Sequence, residues 1–359
     1  MPVSPVMGEN VGVYIARIYA DAENDVMRLL ADRLRRGVPG AANVDAWAAR
    51  KLRDLRDVQR EVDTKIIGRL GRIVPPEVDE RLTEIYRRGQ GSAVADLRRV
   101  LDEDRIAVTQ GFTRANRRAV QSLASATVEK LDGAHFQILR SVTDQYRTII
   151  AETVHGVSTG VATRREASQA ALNRFANRGV TGFVDRGGRR WNLQSYTEMA
   201  IRSASGQAAL QGATDRLQEN DRDLVVISDH AESCPLCRPW QGRVCSLSGT
   251  NRLFPPLSAA TADGLFHPNC AHSLGAYIHG LTERSKPLDD PEQYEDRQQQ
   301  RYFERGIRQW KRRESASMTP GAEQFAHTKT REWQGRMRDF IDTTDRRRKY
   351  EREQITRAF

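Results

Sequence analysis

The segment SDHAESCPLCRPWQG, residues 228–242, concentrates side chains that can bind a metal ion or transfer a proton. Its two cysteines, Cys234 and Cys237, are separated by two residues, a spacing that directs both thiolates to one side of a tight turn. A second segment, FHPNCAH at residues 266–272, supplies three further donors, namely His267, Cys270 and His272. Because structural Zn²⁺ is held by four Cys or His ligands in a tetrahedron, the two segments together predict a zinc knuckle.

Six side chains in these segments are candidate ligands, whereas a structural zinc needs four. The most compact predicted set is Cys234, Cys237, His267 and Cys270, and the alternates are His230 and His272. His230 follows a predicted strand and could instead cap the loop through hydrogen bonds. Cys245 stands among apolar neighbours and is expected to pack as a small buried side chain. A cluster in which reduced thiols and imidazoles only pack and hydrogen-bond, without a metal, stays an alternative.

The distribution of the four cysteines favours a metal over a disulfide. All four lie between residues 234 and 270. The N-terminus shows no apolar segment of the kind that forms a secretory signal, and the sequence has no run of about 18 apolar residues that would predict a membrane span. A reducing compartment is therefore expected, where clustered Cys and His residues are more typical of metal binding.

Two catalytic interpretations of this cluster have weaker support. A thioredoxin-like redox site would place the Cys-x-x-Cys at the start of a helix, but Pro239 and Gly242 interrupt a helix here. A His–Asn–His nuclease would use His230, Asn269 and His272 to activate water beside a metal, yet forty-one residues separate the two histidines. We therefore predict a non-catalytic protein, with a metal-dependent, nuclease-like DNA-processing enzyme as the alternative.

Long amphipathic helices are predicted before the cluster. Apolar residues recur at helical spacing through residues 11–36, 44–73, 77–101, 104–131 and 135–155. The pair Pro75-Pro76 is expected to end the second helix, and the pair Asp132-Gly133 is expected to separate the last two. Residues 1–156 are therefore predicted to form an extended helical region.

The segment that carries the cluster is predicted to mix helix and strand. Residues 182–193 surround a glycine-rich turn and predict a β-hairpin, whereas residues 196–220 predict a helix rich in alanine. The apolar residues 223–228 predict a strand buried on both faces, and residues 273–280 predict a final strand. The predicted fold class is α+β and predominantly helical, with a small α+β domain at residues 157–284.

Residues 285–359 are predicted to form a basic helical tail. The chain carries 57 Lys and Arg against 47 Asp and Glu, and seven of the ten net positive charges fall in residues 301–359. This balance favours a polyanionic partner such as nucleic acid, although a solvated helix of alternating charge is the alternative. Trp310 and Trp333 are expected to pack locally or on a partner rather than stack on bases. The residues predicted to contact nucleic acid are Arg308, Lys311, Arg312, Arg313, Arg346, Arg347, Arg348 and Lys349.

Three stretches occur in order along the chain: YTEMAIRSASGQAALQGATDRLQENDRDLVVISDH, then CPLCRPWQGRVCSLSG, then FHPNCAHSLGAYIHG. Together they resemble the phage minor capsid protein 2 family, a branch of the MuF-like head morphogenesis proteins of tailed bacteriophages. The likeness covers residues 157–280. It places the recurring polar positions of the family on His230, Cys237, Cys270 and His272. Many members of this branch have a histidine at the place of Cys237 and no cysteine at that of Cys234, whereas related MuF-like proteins match Cys237 with His267 and Cys270.

The resemblance implies a virion component that is present in few copies, at the portal vertex or in the capsid interior. It implies a role in head assembly or genome delivery and no established catalytic activity. The expected partners are the portal or the major capsid protein, and packaged DNA through the basic tail. The expected cofactor is structural zinc. The expected location is the virion, with assembly in the cytoplasm of the bacterial host and no membrane association.

Overall fold

The computed structural model describes residues 5–37, 43–99, 101, 112–179, 181–184, 188, 190–268, 270–284 and 290–356. The protein is 73% helical, which confirms the prediction of a predominantly helical α+β chain. The α-helices are α1 (Pro5–Arg35), α2 (Val44–Arg53), α3 (Leu55–Glu61), α4 (Gly68–Arg98), α5 (Arg114–Ser158), α6 (Arg164–Arg178), α7 (Leu193–Glu219), α8 (Leu257–Ala262), α9 (Pro291–Ser315) and α10 (Pro320–Thr344). The strands are β1 (Thr181–Val184), β2 (Arg190–Asn192), β3 (Leu224–Ile227), β4 (Val244–Ser246) and β5 (Leu274–Ala276). No described helix combines the length and apolarity that a membrane span requires.

The chain forms two compact units, each of which draws on several stretches of sequence. The first unit comprises Met1–Ile15, Pro75–Lys130 and Glu198–Gln298, and therefore contains the cysteine cluster. The second unit comprises Ala16–Val74, Leu131–Thr197 and Gln299–Phe359. The division of the sequence into residues 1–156, 157–284 and 285–359 stays a prediction.

The expectation that Pro75 and Pro76 end a helix is wrong, because α4 runs through both. The predicted helix 44–73 is instead divided into α2, α3, a π-helical segment (Val62–Ile67) and the start of α4. A proline inside a helix destabilises it by about 3 kcal/mol. Four side chains along one face of α4 are nonetheless almost fully buried: Leu70, Val74, Val78 and Leu82. Each buried side chain contributes about 1.5–3 kcal/mol, so packing outweighs the two prolines.

The expected break at Asp132-Gly133 is also wrong, because α5 continues through both residues as a single helix. Leu131 and Ala134 are fully buried and Ile138 is 1% exposed, so the apolar stripe passes the glycine without a change of register. A glycine in a helix interior destabilises it by only about 1 kcal/mol relative to alanine. The predicted start of this helix, residues 104–111, lies outside the described residues.

The three-stranded antiparallel sheet has the order β4-β3-β5. Val225 in the central strand pairs with Cys245 of β4 and with Ala276 of β5. Burial along β3 alternates, with Val225 and Ile227 fully buried and their neighbours half-buried. The expectation of a strand buried on both faces is therefore wrong. An antiparallel sheet commonly packs only one face on a core, and here that core includes residues of α4 and α7.

The predicted β-hairpin is confirmed, because strands β1 and β2 pair antiparallel.

The predicted local packing of the tail tryptophans is also confirmed. The rings of Trp310 and Phe325 lie 5.8 Å apart in an edge-to-face arrangement. Trp333 packs so closely on Gly306 that a Cβ atom at that glycine would lie 2.1 Å from the indole ring. Helices α9 and α10 therefore build a narrow aromatic core.

Two glycines allow α4 and α7 to approach each other closely. A Cβ atom at Gly212 would lie 2.1 Å from the carbonyl oxygen of Tyr86, and one at Gly89 would lie 2.2 Å from that of Ala209. The Tyr86 hydroxyl donates to the carboxylate of Asp215 and accepts from the side-chain amide of Asn116. This crossing supports the buried face of the sheet in the first unit.

We predict that Gly212→Ala destabilises the first unit by about 1–3 kcal/mol, because the added methyl group overlaps a backbone carbonyl that cannot move freely. The matched control is Gly206→Ala in the same helix, where a Cβ atom meets nothing within 4 Å. That substitution should leave stability unchanged or raise it by up to about 1 kcal/mol. Urea unfolding followed by circular dichroism measures both, and equal effects of the two substitutions would contradict the prediction.

Candidate metal centre

Backbone hydrogen bonds that continue the sheet hold the two ligand-bearing segments together. Strand β3 ends at Ile227, whose carbonyl accepts from the N–H of Gly242 at 3.1 Å. Ser228 then donates its N–H to the carbonyl of Ser273 at 2.9 Å, and the N–H of Ser273 donates to the Ser228 hydroxyl oxygen at 2.9 Å. Gly242 has a φ of 66°, a left-handed conformation that glycine adopts without strain. The two segments therefore leave the sheet as neighbours.

Each segment closes a tight turn around its own donors. In the first, the N–H groups of Cys237 and Arg238 both donate to the carbonyl of Cys234 at 3.1 Å. In the second, the N–H of Cys270 donates to the carbonyl of His267 at 2.9 Å. Because these hydrogen bonds lie within each segment, the Cys-x-x-Cys and His-Pro-x-Cys spacings set the local geometry of the two turns.

Five donor side chains come together where the two turns meet. Sγ of Cys234 lies 3.0 Å from Nε2 of His267, and Sγ of Cys237 lies 3.6 Å from Sγ of Cys270. Sγ of Cys270 lies 3.4 Å from Nδ1 of His272. The donor atoms form two overlapping groups, one of Cys234, Cys237 and His267 and the other of Cys237, Cys270 and His272, and within each group they lie within 4.8 Å of one another. Cys237 belongs to both groups.

These separations fit a tetrahedrally coordinated metal ion. With Zn–S bonds of about 2.3 Å, two sulfur ligands of a tetrahedron lie about 3.8 Å apart, close to the 3.6 Å between Cys237 and Cys270. Nδ1 of His267 lies 2.7 Å from the carbonyl oxygen of Pro268, which leaves Nε2 facing Cys234. A histidine that ligates a metal typically donates its other ring N–H to such an acceptor. The cluster can therefore hold a metal ion.

The contact between Cys237 and Cys270 shifts the pKa values of the two thiols in opposite directions. The hydrogen bond from Cys237 holds the pKa of the Cys270 thiol well below its usual range, and the backbone N–H of His272 lowers this pKa further. The same hydrogen bond, together with burial, raises the pKa of Cys237. Because the thiolate is the form that binds metals, the lowered pKa favours Cys270 as a ligand.

His230 lies beside the cluster and belongs to neither group of donors. Its Nδ1 accepts the N–H of Glu232 at 3.0 Å, and its ring centroid lies 6.0 Å from that of His272. Burial lowers the pKa of His230, and the nearby charge of Arg297 lowers it further. This arrangement matches the expectation that His230 caps the loop. The structure thus brings together Cys234, Cys237, His267, Cys270 and the alternate His272.

Gln241 and Ser233 also contact the cluster, and no residue spacing in the sequence indicated them. Oε1 of Gln241 lies 3.2 Å from Nε2 of His272, and the Ser233 hydroxyl oxygen lies 3.3 Å from the same nitrogen. Both side chains are buried. Cys245 is buried in β4 outside both groups of donors, as its apolar neighbours predicted.

The structure buries part of the basic sequence that was predicted to face nucleic acid. Arg308 is 5% exposed and donates to the carbonyl of Arg352. Arg312 is 4% exposed, donates to the carbonyl of Ala176 at 3.1 Å and lies 3.8 Å from the carboxylate of Glu23. These guanidinium groups lie inside the second unit because each meets protein acceptors there.

The other basic residues of the predicted set are at least partly exposed. Lys311 donates to the side chain of Gln354 at 3.0 Å, and burial lowers its pKa. Arg348 donates through two nitrogens to the carboxylate of Glu353. Arg347 is exposed, and the remaining members are half-buried, namely Arg313, Arg346 and Lys349.

We predict that Cys237→Ala abolishes or strongly weakens metal binding, because Cys237 belongs to both groups of donors. The matched control is Cys245→Ala, which removes an equally buried sulfur from the same unit without touching either group. Zinc content and the charge-transfer absorption of bound Co²⁺ measure binding. Zinc should raise the melting temperature of the wild-type and Cys245→Ala proteins only, since an ion stabilises the state that binds it. Equal metal content in all three proteins would contradict the prediction.

Comparison with known proteins identifies relatives among phages. A structural protein of Lactococcus phage LL-H is 28% identical over 282 residues, which cover 72% of this chain and 75% of that protein. A structural protein of Lactococcus phage mv4 is 35% identical over 103 residues, which cover 26% of this chain and 84% of that protein. No solved structure shows significant similarity to the chain. The family described as phage minor capsid protein 2 matches residues 7–342, so the chain belongs to the phage minor capsid protein 2 family.

Proposed function

We propose that this protein is a non-catalytic structural component of the head of a tailed bacteriophage, located at the portal vertex or in the capsid interior. The observation that carries the proposal is the family match, which extends over residues 7–342 and therefore includes most of both compact units. The relatives in phages LL-H and mv4 are both described as structural proteins, and a minor capsid component is a member of the virion by definition.

The cluster supports a structural rather than a catalytic centre. Catalytic zinc sites have three protein ligands and keep one position open for water, whereas structural sites close all four positions with protein atoms. Here the two loops supply five donors in two overlapping groups of three that share Cys237, which is more than the three ligands of a catalytic site. We propose Cys234, Cys237 and Cys270 as three of the zinc ligands and a histidine as the fourth, which is His267 in the predicted set and His272 as its alternate. Zinc bound in this way ties the turn after β3 to the turn before β5.

The location can be tested in the particle itself. An asymmetric reconstruction of the intact virion should show density for this chain at the portal vertex or inside the shell, in few copies. Mass spectrometry of purified particles should detect the chain in a similar low ratio to the major capsid protein. Absence from purified particles, or a regular distribution over the outer shell, would overturn the proposal.

We further propose that the accessible basic residues near the C-terminus contact packaged DNA. The contact would use phosphates and carry no sequence information. Arg308 and Arg312 are excluded by burial, Lys311 by the burial that lowers its pKa, and Arg348 by its ion pair with Glu353. Arg346 donates to the neutral side chain of Gln300 at 3.0 Å, a contact that does not neutralise its charge. The proposed phosphate contacts are Arg313, Arg346, Arg347 and Lys349, all of which are at least partly exposed.

We predict that changing these four residues to Gln weakens binding to double-stranded DNA and flattens its salt dependence. Each phosphate contact that is lost should reduce the slope of log K against log salt by about 0.9. The matched control changes four exposed arginines of the second unit, namely Arg53, Arg56, Arg60 and Arg72. Fluorescence anisotropy between 50 and 200 mM salt, about the range over which such contacts are lost, measures both variants. An equal effect of both variants would show that only the net charge matters.

The same binding reactions separate a structural protein from a metal-dependent nuclease. Supercoiled plasmid incubated with the protein and Mg²⁺, Mn²⁺ or Zn²⁺ should stay intact, because the proposed centre has no open position for a water nucleophile. Metal-dependent nicking that disappears in His230→Ala would establish the enzyme instead. That result would overturn the non-catalytic proposal without affecting the family assignment.

A further inference from the structure

We propose that Gln241 is the positioning residue that makes His272 a metal donor. This inference rests on the metal centre of the proposed function and adds a residue that the spacing of cysteines and histidines does not indicate. Gln241 belongs to the Trp-Gln-Gly turn that follows the Cys-x-x-Cys, and it is 3% exposed. Its side-chain oxygen accepts the backbone N–H of His230 at 2.7 Å and lies 3.2 Å from Nε2 of His272.

These contacts select one tautomer of His272. A backbone N–H can only donate, so the Gln241 oxygen is an acceptor, and Nε2 of His272 must carry the proton that approaches it. The Ser233 hydroxyl lies 3.3 Å from the same nitrogen. That hydroxyl can donate or accept there, so the proton on Nε2 is assigned by Gln241, whose acceptor role is fixed by the N–H of His230.

The selected tautomer leaves a lone pair on the other ring nitrogen. Nδ1 of His272 lies 3.4 Å from Sγ of Cys270 and belongs to the group of donors that includes Cys237. Only a nitrogen without a proton can bind a metal. If Gln241 lost its acceptor, the proton could move to Nδ1 and the ring could rotate. His272 would then stop contributing to the centre.

The position of His230 follows from the same hydrogen bond. Its backbone N–H, and not its ring, contacts Gln241, whereas the ring accepts the N–H of Glu232. Gln241 therefore connects the turn after β3 to the histidine that follows Cys270. Removing the His230 side chain preserves this connection, which makes His230→Ala a matched control for Gln241→Leu.

The test compares zinc affinities by chelator competition in the full-length protein. Gln241→Leu should weaken zinc binding by about 10- to 100-fold, the usual effect of losing a hydrogen-bond partner of a ligating histidine. Gln241→Glu retains an acceptor oxygen and should restore affinity to near the wild-type value, and His230→Ala should leave it unchanged. In the His272→Ala background, Gln241→Leu should cause no additional loss. Unchanged affinity in Gln241→Leu, or additive losses in the double variant, would overturn the inference.

A second measurement remains decisive if the wild-type protein binds no zinc. The ring ¹⁵N shifts of His272 in metal-free protein report which nitrogen carries the proton. They should show the Nε2–H tautomer in the wild type and in Gln241→Glu, and a loss of that preference in Gln241→Leu. The same tautomer mixture in all three proteins would refute a positioning role for Gln241. Absence of zinc binding together with the expected shifts would instead contradict only the metal centre.

Discussion

The contact between the sulfur atoms of Cys237 and Cys270 joins the two ligand-bearing loops beyond the end of a small sheet. Strands β3, β4 and β5 are only three or four residues long, and a sheet of this size has little area to bury. Its core already contains Cys237, together with Trp240 and residues of α4 and α7. The donor cluster therefore lies at the edge of the hydrophobic core, and a metal bound there would complete the core.

The second unit differs from the first in that many of its buried side chains are charged and need partners inside the protein. Arg312 is almost fully buried between the carbonyl of Ala176 and the carboxylate of Glu23. Arg352 is 2% exposed and lies 3.7 Å from the carboxylate of Glu304. A buried charge is tolerated only when partners replace its lost hydration. The basic composition of the C-terminal sequence thus serves internal packing as well as any external partner, and net charge alone overstates the surface that is available to DNA.

Sequence patterns predicted those features whose determinants are local. The β-hairpin, strand β3 and the helix before it follow from alternation, turn residues and apolar content, and the Cys-x-x-Cys and His-Pro-x-Cys turns fix their own geometry. The breaks at Pro75-Pro76 and at Asp132-Gly133 were predicted wrongly because the local preference is outweighed by buried stripes on either side. Burial of Arg308 could not be predicted, since its acceptor is the backbone of a residue 44 positions away. The contact of Gln241 with the cluster could not be predicted for the same reason, because its partners become neighbours only in the folded chain.

The hydrogen bonds of the histidines in and beside the cluster bear on whether a metal centre here is structural or catalytic. Each histidine of the cluster has one ring nitrogen close to a protein acceptor, His267 to the carbonyl of Pro268 and His272 to the side chain of Gln241. Such contacts fix the orientation of an imidazole and the nitrogen that carries its proton, as they do for histidines that ligate a metal. His230, whose pKa is lowered by burial, has its Nδ1 occupied by a backbone N–H. The hydrogen bonds of all three histidines therefore fix the positions of their rings, which is what the proposed structural metal centre needs.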